Sequence, residues 1–159
     1  MFVTNHVLSG AIIGRALRRR PVVAFVAGVG SHLALDAMPH WGCDLNVDGG
    51  PERFLAVARR DGILGLSVMA TVALAEDRQA RLSTLAAMAG AALLDLDKPF
   101  EHFFGVRPFP EMVTRIHRWV QNESPDGMGK EFAYGVLFAL VDTAAIVRAR
   151  GGASRREAA

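Results

Sequence analysis

The 159-residue chain has a single cysteine, Cys43, so it cannot form an internal disulfide, and nothing indicates an oxidising compartment. Aromatic residues make up only 8% of the chain, whereas hydrophobic residues make up 51% and the mean hydropathy is +0.23. The apolar content is therefore mostly aliphatic and is accompanied by 16 glycines, a mixture that suits closely packed helices in water or in lipid. No alternating β-branched run is bounded by hairpin turns, which argues against strands.

Several motifs of familiar enzyme classes are also absent: the Glu-x-x-His and His-Glu-x-x-His metal motifs, a phosphate-binding glycine loop and the Gly-x-Ser-x-Gly elbow. Catalysis by a serine or cysteine nucleophile therefore has no support. The net charge is only +2, but arginines cluster at 18–20, 59–60 and 148–156. Such clusters suit anionic lipid or the flank of a membrane segment. Nucleic-acid binding is the weakest alternative, because no aromatic residues interleave with the clusters.

Four uncharged apolar windows fall short of the roughly 18 residues of a clear membrane-spanning helix: 21–31, 62–75, 82–94 and 132–141. They reach spanning length if the aspartates that border them face the interior of a bundle. Membrane residence and a soluble state are equally compatible with this pattern. No cleavable signal peptide is expected, because the first arginine cluster follows the first apolar stretch instead of preceding it.

Apolar spacing, caps and prolines predict an all-α protein, a compact bundle of five to six helices with Gly/Ala-rich packing stripes. Residues 1–150 are expected to form a single domain, and 151–159 a disordered basic tail. Thr4 or Asn5 is predicted to cap the first helix, and Pro21 to lie in the first turn of the second. The predicted helices end at or near residues 19, 38, 75, 94, 121 and 148, with an irregular aromatic loop at 97–110.

The most informative feature is a phrase in which two histidines bracket an aspartate: His32, Asp36 and His40. Steps of four residues place these side chains on nearly the same face of a helix. Imidazole and carboxylate are ligands that zinc-type cations prefer, and a buried aspartate needs a positive partner. His6 heads a stripe of glycines at the same step, so close helix packing would bring it to the phrase. The alternative for each histidine is a buried core position with a hydrogen bond.

A second set of candidate metal ligands follows the fourth predicted helix. Asp95 and Asp97 lie at the negative end of the helix dipole, where carboxylates need a cation, either a metal or Lys98. His102 and His117 complete the set. The alternative for His117 is a surface position on an amphipathic helix.

Further residues are candidates for roles around a bound metal. Asp61 or Glu123 could accept a proton from metal-bound water, and Arg118 or Arg107 could hold an anionic group. Asp61 could equally be an exposed acid beside an arginine. An aromatic patch near these residues is commonly explained by packing, with a lid or a membrane-dipping surface as the sharper alternative: Phe100, Phe103, Phe104, Phe109 and Trp119.

Taken together, these segments resemble a known family. The Asn-His pair at 5–6, the Leu-Asp-Leu-Asp segment at 94–97 and the His-Arg pair at 117–118 are similar to motifs of the bacterial membrane-bound metal-dependent hydrolases. The His-x3-Asp-x2-Pro-His pattern at 32–40 is similar to a helix of zinc-dependent phospholipase C and the fungal single-strand nucleases. Three positions depart from the first family's motifs, which have proline, histidine and histidine there: Leu94, Lys98 and Asn122.

The resemblance implies a metal site and membrane association. Together with the residue patterns, it predicts a metal-dependent hydrolase of phosphoester bonds in a lipid-like or nucleotide-like substrate. One to three divalent ions, zinc above all, would supply a metal-bound water as the nucleophile. The alternative is a non-catalytic, small membrane-associated helical protein whose histidines and aspartates pair structurally. The expected location is the inner (cytoplasmic) membrane, with the cytoplasm as the alternative.

Overall fold

The computed structural model describes residues 1–157, and residues 158–159 lie outside the described part of the chain. It confirms an all-α bundle with almost no strand. The helices in chain order are α1 (Val3–Ala16), α2 (Pro21–Asp36), α3 (Gly50–Ala75), α4 (Arg81–Ala92), α5 (Asp97–Phe104), α6 (Glu111–Val120) and α7 (Met128–Glu157).

Short elements join the helices at one end of the bundle. Single turns of 3-10 helix cover Leu93–Leu96 and Pro125–Gly127. Two strands of two residues each, β1 (His40–Trp41) and β2 (Glu123–Ser124), pair in parallel. This pairing ties the segment that follows α2 to the segment that follows α6.

The helix α4 packs against both α1 and α2, and α1 in turn contacts α3 and α7. The centre of the apolar core contains two residues of α1 and one each of α3 and α4: Val7, Ala11, Val72 and Met88. Three of these four side chains are short, so much of the cohesion comes from close approach of the helix backbones.

Glycines make that close approach possible, as the Gly/Ala-rich stripes predict. A Cβ atom added to Gly14 of α1 would fall against the backbone of Thr84 in α4, and one added to Gly28 of α2 against the carbonyl of Ala87. Gly90 of α4 meets the backbone of α2 in the same way. The helices α1, α2 and α4 are therefore in backbone contact, and this contact brings their functional ends together.

The outer surface of the bundle is unusually apolar. Within residues 1–157, the segment Pro125–Ala149 is the one helix long and apolar enough to cross a membrane, by length and composition. Only 6% of its most apolar 18-residue window is buried, so it is not a core helix. The exposed apolar side chains of α7 include Phe132, Val136, Leu137, Leu140, Val141 and Val147, and those of α2 and α3 include Val22, Val26, Ile63, Leu66 and Leu74.

The loop predicted at 97–110 is wrong over its first half, which forms α5. Pro99 is the third residue of this helix, and the first turn has no intrahelical N–H bond for a proline to remove. Gly105 ends α5 with a φ of 66°, a left-handed conformation that glycine adopts without strain. The predicted loop is therefore a helix followed by a short connection.

Three helix ends also differ from the predictions. The helix α1 begins at Val3 without a side-chain cap from Thr4 or Asn5, because Asp61 of α3 accepts hydrogen bonds from its first N–H groups instead. The helix α2 ends at Asp36, so His40 lies on β1 and not on the helix. At the other end of the chain, α7 continues to Glu157, so 151–157 is helical and only 158–159 of the predicted tail lies outside the described residues.

Candidate metal centre

Three buried side chains from α2 and α6 meet in a triangle at one end of the bundle. The Nε2 atoms of His32 and His117 are 3.0 Å apart, and each lies 3.1 Å from Asp36 Oδ2. The amino group of Met1 donates a hydrogen bond to the other oxygen of Asp36 at 2.8 Å. Tetrahedral zinc with bonds of about 2.0–2.1 Å holds its ligand atoms roughly 3.3 Å apart. The triangle therefore has nearly the dimensions of one face of a zinc coordination shell.

The hydrogen bond on the far side of His32 determines which ring nitrogen carries the proton. Its Nδ1 is 2.6 Å from the carbonyl oxygen of Ala91, and a carbonyl can only accept, so Nδ1 donates. In neutral His32, Nε2 then presents a lone pair to His117 and Asp36. A backbone carbonyl behind the ring is a common support for a metal-ligating histidine, because it fixes both tautomer and orientation.

His6 of α1 and Asp95 of the 3-10 turn after α4 extend the cluster. His6 Nε2 lies 3.1 Å from Asp36 Oδ1 and 3.8 Å from Asp95 Oδ2, and its ring stacks on that of His32 with centroids 3.9 Å apart. Lys98 donates a hydrogen bond to Asp95 Oδ1 at 3.0 Å. The buried Asp95 Oδ2 accepts no hydrogen bond from any residue in the described chain. Two groups have ligand atoms within 4.8 Å of one another: His6, His32 and Asp36; and His32, Asp95 and His117.

Burial and mutual contacts shift the pKa values of these groups. Burial lowers the pKa of His6 to about 4, so its ring is neutral at pH 7. Burial opposes ionisation of Asp36, but the hydrogen bonds that it accepts, above all the one from His117, hold its pKa well below the usual range. Burial likewise lowers the pKa of His117, yet the hydrogen bond to Asp36 and the nearby carboxylate of Asp97 raise it to about 9. A metal ion that binds in the triangle must therefore displace a proton from His117.

A carboxylate of α7 fixes the first residues of the chain beside the centre. Buried Glu131 accepts hydrogen bonds from the backbone N–H of Phe2 at 3.1 Å and of Trp41 at 3.3 Å, and from Asn5 Nδ2 at 2.7 Å. Residue spacing gave no reason to select Glu131. Its signal in the sequence is an acid in the first turn of α7, directly before the uncharged apolar stretch 132–141.

Two predicted ligands lie beside the triangle and not in it. His40 donates from Nδ1 to the carbonyl of Met38 at 2.8 Å, and its buried Nε2 faces Glu123 Oε1 at 3.9 Å. The pairing of β1 with β2 places these two residues opposite each other. Asp97 lies behind His117, with its Oδ2 3.8 Å from the ring Nδ1. It is therefore positioned to orient a candidate ligand.

Four other predicted site residues are not brought into the cluster. Asp61 accepts hydrogen bonds from the first turn of α1, including one of 2.6 Å from the Thr4 hydroxyl. This contact stabilises a helix start and occupies the carboxylate. His102 is exposed on α5, and Arg118 is exposed on α6. Arg107 pairs with a glutamate of α5 at 2.8 Å.

Buried imidazole and carboxylate groups could thus hold a metal ion at this end of the bundle. Of the predicted ligands, the structure brings five together: His6, His32, Asp36, Asp95 and His117. Comparisons of the chain with protein-family models, with curated proteins and with solved structures return no match.

Proposed function

We propose that this protein is a metal-dependent hydrolase of phosphoester bonds, with zinc as its metal and a lipid-like or nucleotide-like substrate. The observation that carries this proposal is the triangle of His32, Asp36 and His117, whose atoms lie 3.0–3.1 Å apart. Three protein ligands of this kind leave a fourth position on zinc for water. An ion held by His32, Asp36 and His117 would lower the pKa of a bound water to about 7, which would make that water a nucleophile at neutral pH.

The surrounding residues have distinct roles in this proposal. His6 and Asp95 are the ligands available to complete the first coordination shell or to hold a second ion. Lys98 is 36% exposed at its side chain and reaches Asp95, so it lies at the boundary between the cluster and solvent. A cation at that boundary is well placed to bind the anionic group of a phosphoester. Lys98 is therefore a better candidate for this role than Arg118 or Arg107.

Glu123 is the candidate proton acceptor. Its carboxylate is partly exposed and lies 3.9 Å from His40 Nε2. The proximity of His40 holds the pKa of Glu123 below its usual range, so the carboxylate is ionised at neutral pH and can take a proton from an attacking water. His40 would then act by positioning Glu123.

We place the protein in the inner (cytoplasmic) membrane, with α7 as its spanning helix. The length of Pro125–Ala149 and the small buried share of its most apolar window, 6%, support this location. The exposed apolar side chains of α2 and α3 support it as well, because large exposed apolar patches mark membrane or protein interaction sites. The cytoplasm is the alternative location.

The second candidate function is a non-catalytic membrane-associated bundle. One observation favours it: a protonated His117 at 3.1 Å from Asp36 neutralises that carboxylate without any metal. The two proposals differ in metal content, since only the hydrolase requires an ion.

The test is metal content and phosphodiesterase activity of the detergent-purified, full-length chain. We expect about one zinc or more per chain after reconstitution, together with hydrolysis of bis-p-nitrophenyl phosphate. His32→Gln combined with His117→Gln should abolish both, whereas His102→Gln, a matched change at an exposed histidine, should affect neither. Absence of metal in the wild-type protein after reconstitution would favour the non-catalytic bundle. Bound metal without hydrolysis of phosphodiesters or phospholipids would refute the hydrolase and retain the metal site.

A further inference from the structure

The outward face of α6 is apolar although the helix is short and near the metal centre. Met112, Ile116 and Trp119 are exposed, Trp119 to 84%. Their spacing of four and three residues aligns them in one stripe along the helix. His117 is buried and, at about 100° per residue, points roughly 160° away from Trp119. One face of α6 therefore forms the metal centre, and the opposite face presents bulky apolar groups to the outside.

Basic residues border the apolar stripe on one side. Arg115 and Arg118 are both exposed, and the acid of this helix, Glu111, lies in its first turn. A helix with aromatic and aliphatic residues on one face and arginines beside them is typical of helices that lie in the plane of a membrane interface. The arginines match the negative charge of anionic phospholipid headgroups.

The place of α6 in the chain agrees with this arrangement. The helix ends at Val120, shortly before the candidate spanning segment Pro125–Ala149 begins. Tryptophan is enriched where a spanning helix meets the membrane surface, and Trp119 precedes the candidate spanning segment by six residues in the sequence. The preceding helix α5 has two more exposed rings, Phe103 and Phe104.

We propose that the outward face of α6 docks into the headgroup region of an anionic phospholipid bilayer. Trp119 is the most deeply inserted side chain, and Arg115 and Arg118 contact lipid phosphates. The metal centre is thereby held about one helix diameter, ~10 Å, from the membrane surface. Docking requires neither bound metal nor hydrolysis, so its failure is distinguishable from failure of the proposed hydrolase; it rests on the proposed function only for the membrane location.

The two tryptophans of the chain provide the test. Trp41 is 7% exposed and Trp119 is 84% exposed, so single-tryptophan variants of the full-length protein report a buried and a surface position. The Trp41→Phe variant is reconstituted into phosphatidylcholine vesicles with phosphatidylglycerol, in which the acyl chains carry bromine near the headgroup. We expect the fluorescence of Trp119 to be roughly twofold lower in these vesicles than in the same vesicles without bromine, because bromine quenches an indole that it touches and tryptophan favours the membrane interface. Trp41, observed in the Trp119→Phe variant, should change little. If Trp41→Phe disturbs folding, the fluorescence of Trp119 is obtained instead by subtracting the Trp119→Phe signal from the wild-type signal.

The charge requirement is tested with Arg115→Gln combined with Arg118→Gln. This variant should lose the gain in Trp119 quenching that phosphatidylglycerol gives over pure phosphatidylcholine. Arg107→Gln, an exposed arginine already paired with Glu101, is the matched control and should keep the gain. Unquenched Trp119 in both lipid mixtures would overturn the proposal. In that case a Met112→Cys variant shows what covers this face instead. Formation of a disulfide-linked dimer by this variant would mean that a second copy of the chain covers it.

Discussion

The bundle carries a buried ionic cluster at each end, and the two clusters differ in their source of positive charge. At the end where α1 finishes, Arg15 donates hydrogen bonds to Glu76 at 2.8 Å and to Asp142 at 2.5 Å. At the opposite end, where α1 begins, Asp36 faces the rings of three histidines. A guanidinium is always charged, whereas an imidazole can exchange its proton for a metal ion.

This difference separates a structural cluster from a candidate site. The arginine cluster joins α1 to α3 and α7 with a cation that belongs to the chain. The histidine cluster joins α1, α2 and α6 through Asp36. The Nε2 atoms of His32 and His117 lie 3.0 Å apart, so they need either a proton or a metal ion between them. Two equally buried ionic clusters can therefore differ in function. Only the cluster whose positive charge can be exchanged for a metal ion is a candidate site.

The largest effect is expected from Asp36→Asn, which removes the carboxylate that contacts all three histidines of the cluster. Changes to residues behind a metal ligand weaken metal binding by about 10- to 100-fold, so the loss of this carboxylate should weaken it by more than about 100-fold. Zinc affinity, measured by competition with a chromogenic chelator, tests the expectation.

The control for that measurement is Asp142→Asn, the same change in the arginine cluster. It should leave zinc affinity unchanged, because Asp142 contacts Arg15 and lies at the other end of α1. If both variants weaken zinc binding equally, the loss reflects general destabilisation, and the distinction between the two ends is wrong.

The next effect concerns stability at the arginine cluster. Arg15→Met leaves Glu76 and Asp142 buried without their cation, and such a change typically costs about 3–5 kcal/mol of unfolding free energy. Arg18→Met, which removes an exposed pair with Asp77, should cost about 1 kcal/mol or less. Unfolding by SDS in mixed micelles measures both. Zinc affinity of folded Arg15→Met should equal that of the wild type; a large loss would show that the two clusters are coupled.

Much of the fold could be predicted from the sequence, because local signals agree with the tertiary packing. Pro21 begins α2 as predicted, and Pro39 prevents its continuation. Pro99 misled the prediction, since a proline was taken to indicate a loop although the first turn of a helix accepts it. The start of α1 could not be predicted, because its capping group is Asp61, fifty-odd residues away on α3. Residue spacing predicts local structure, but it does not predict contacts between residues that are distant in the sequence.

The candidate site shows the same division. The four-residue step from His32 to Asp36 predicted a shared face, and the two side chains do meet at 3.1 Å. The next step, to His40, is wrong because α2 ends before it. The convergence of Asp95 and His117 on this pair depends on how α4 and α6 dock, which no periodicity within one helix can specify.

A smaller effect is expected where the glycine stripe supports the histidine cluster. Gly28→Ala would push α2 away from the carbonyl of Ala87 in α4, at a cost of about 1–3 kcal/mol. Because Gly28 lies one turn before His32, the same displacement should weaken zinc binding as well. Gly30→Ala in the same helix is the control, since within the described chain nothing lies within 4 Å of the added Cβ. It should be neutral or stabilise the helix by up to about 1 kcal/mol. Thermal unfolding in detergent compares the two, and equal melting temperatures would contradict the close contact.

The smallest effect is expected from Lys98, the permanently charged side chain that donates to Asp95 at 3.0 Å. If the histidine cluster is a metal site, this ammonium repels the incoming ion, and Lys98→Met should raise zinc affinity by about tenfold or less. The other lysine of the chain, exposed Lys130, provides the matched control, and Lys130→Met should leave affinity unchanged. The same chelator competition measures both variants. A weaker affinity in Lys98→Met would mean that the lysine holds Asp95 in position, as Arg15 holds its two carboxylates, and the contrast between the two ends would then be one of degree.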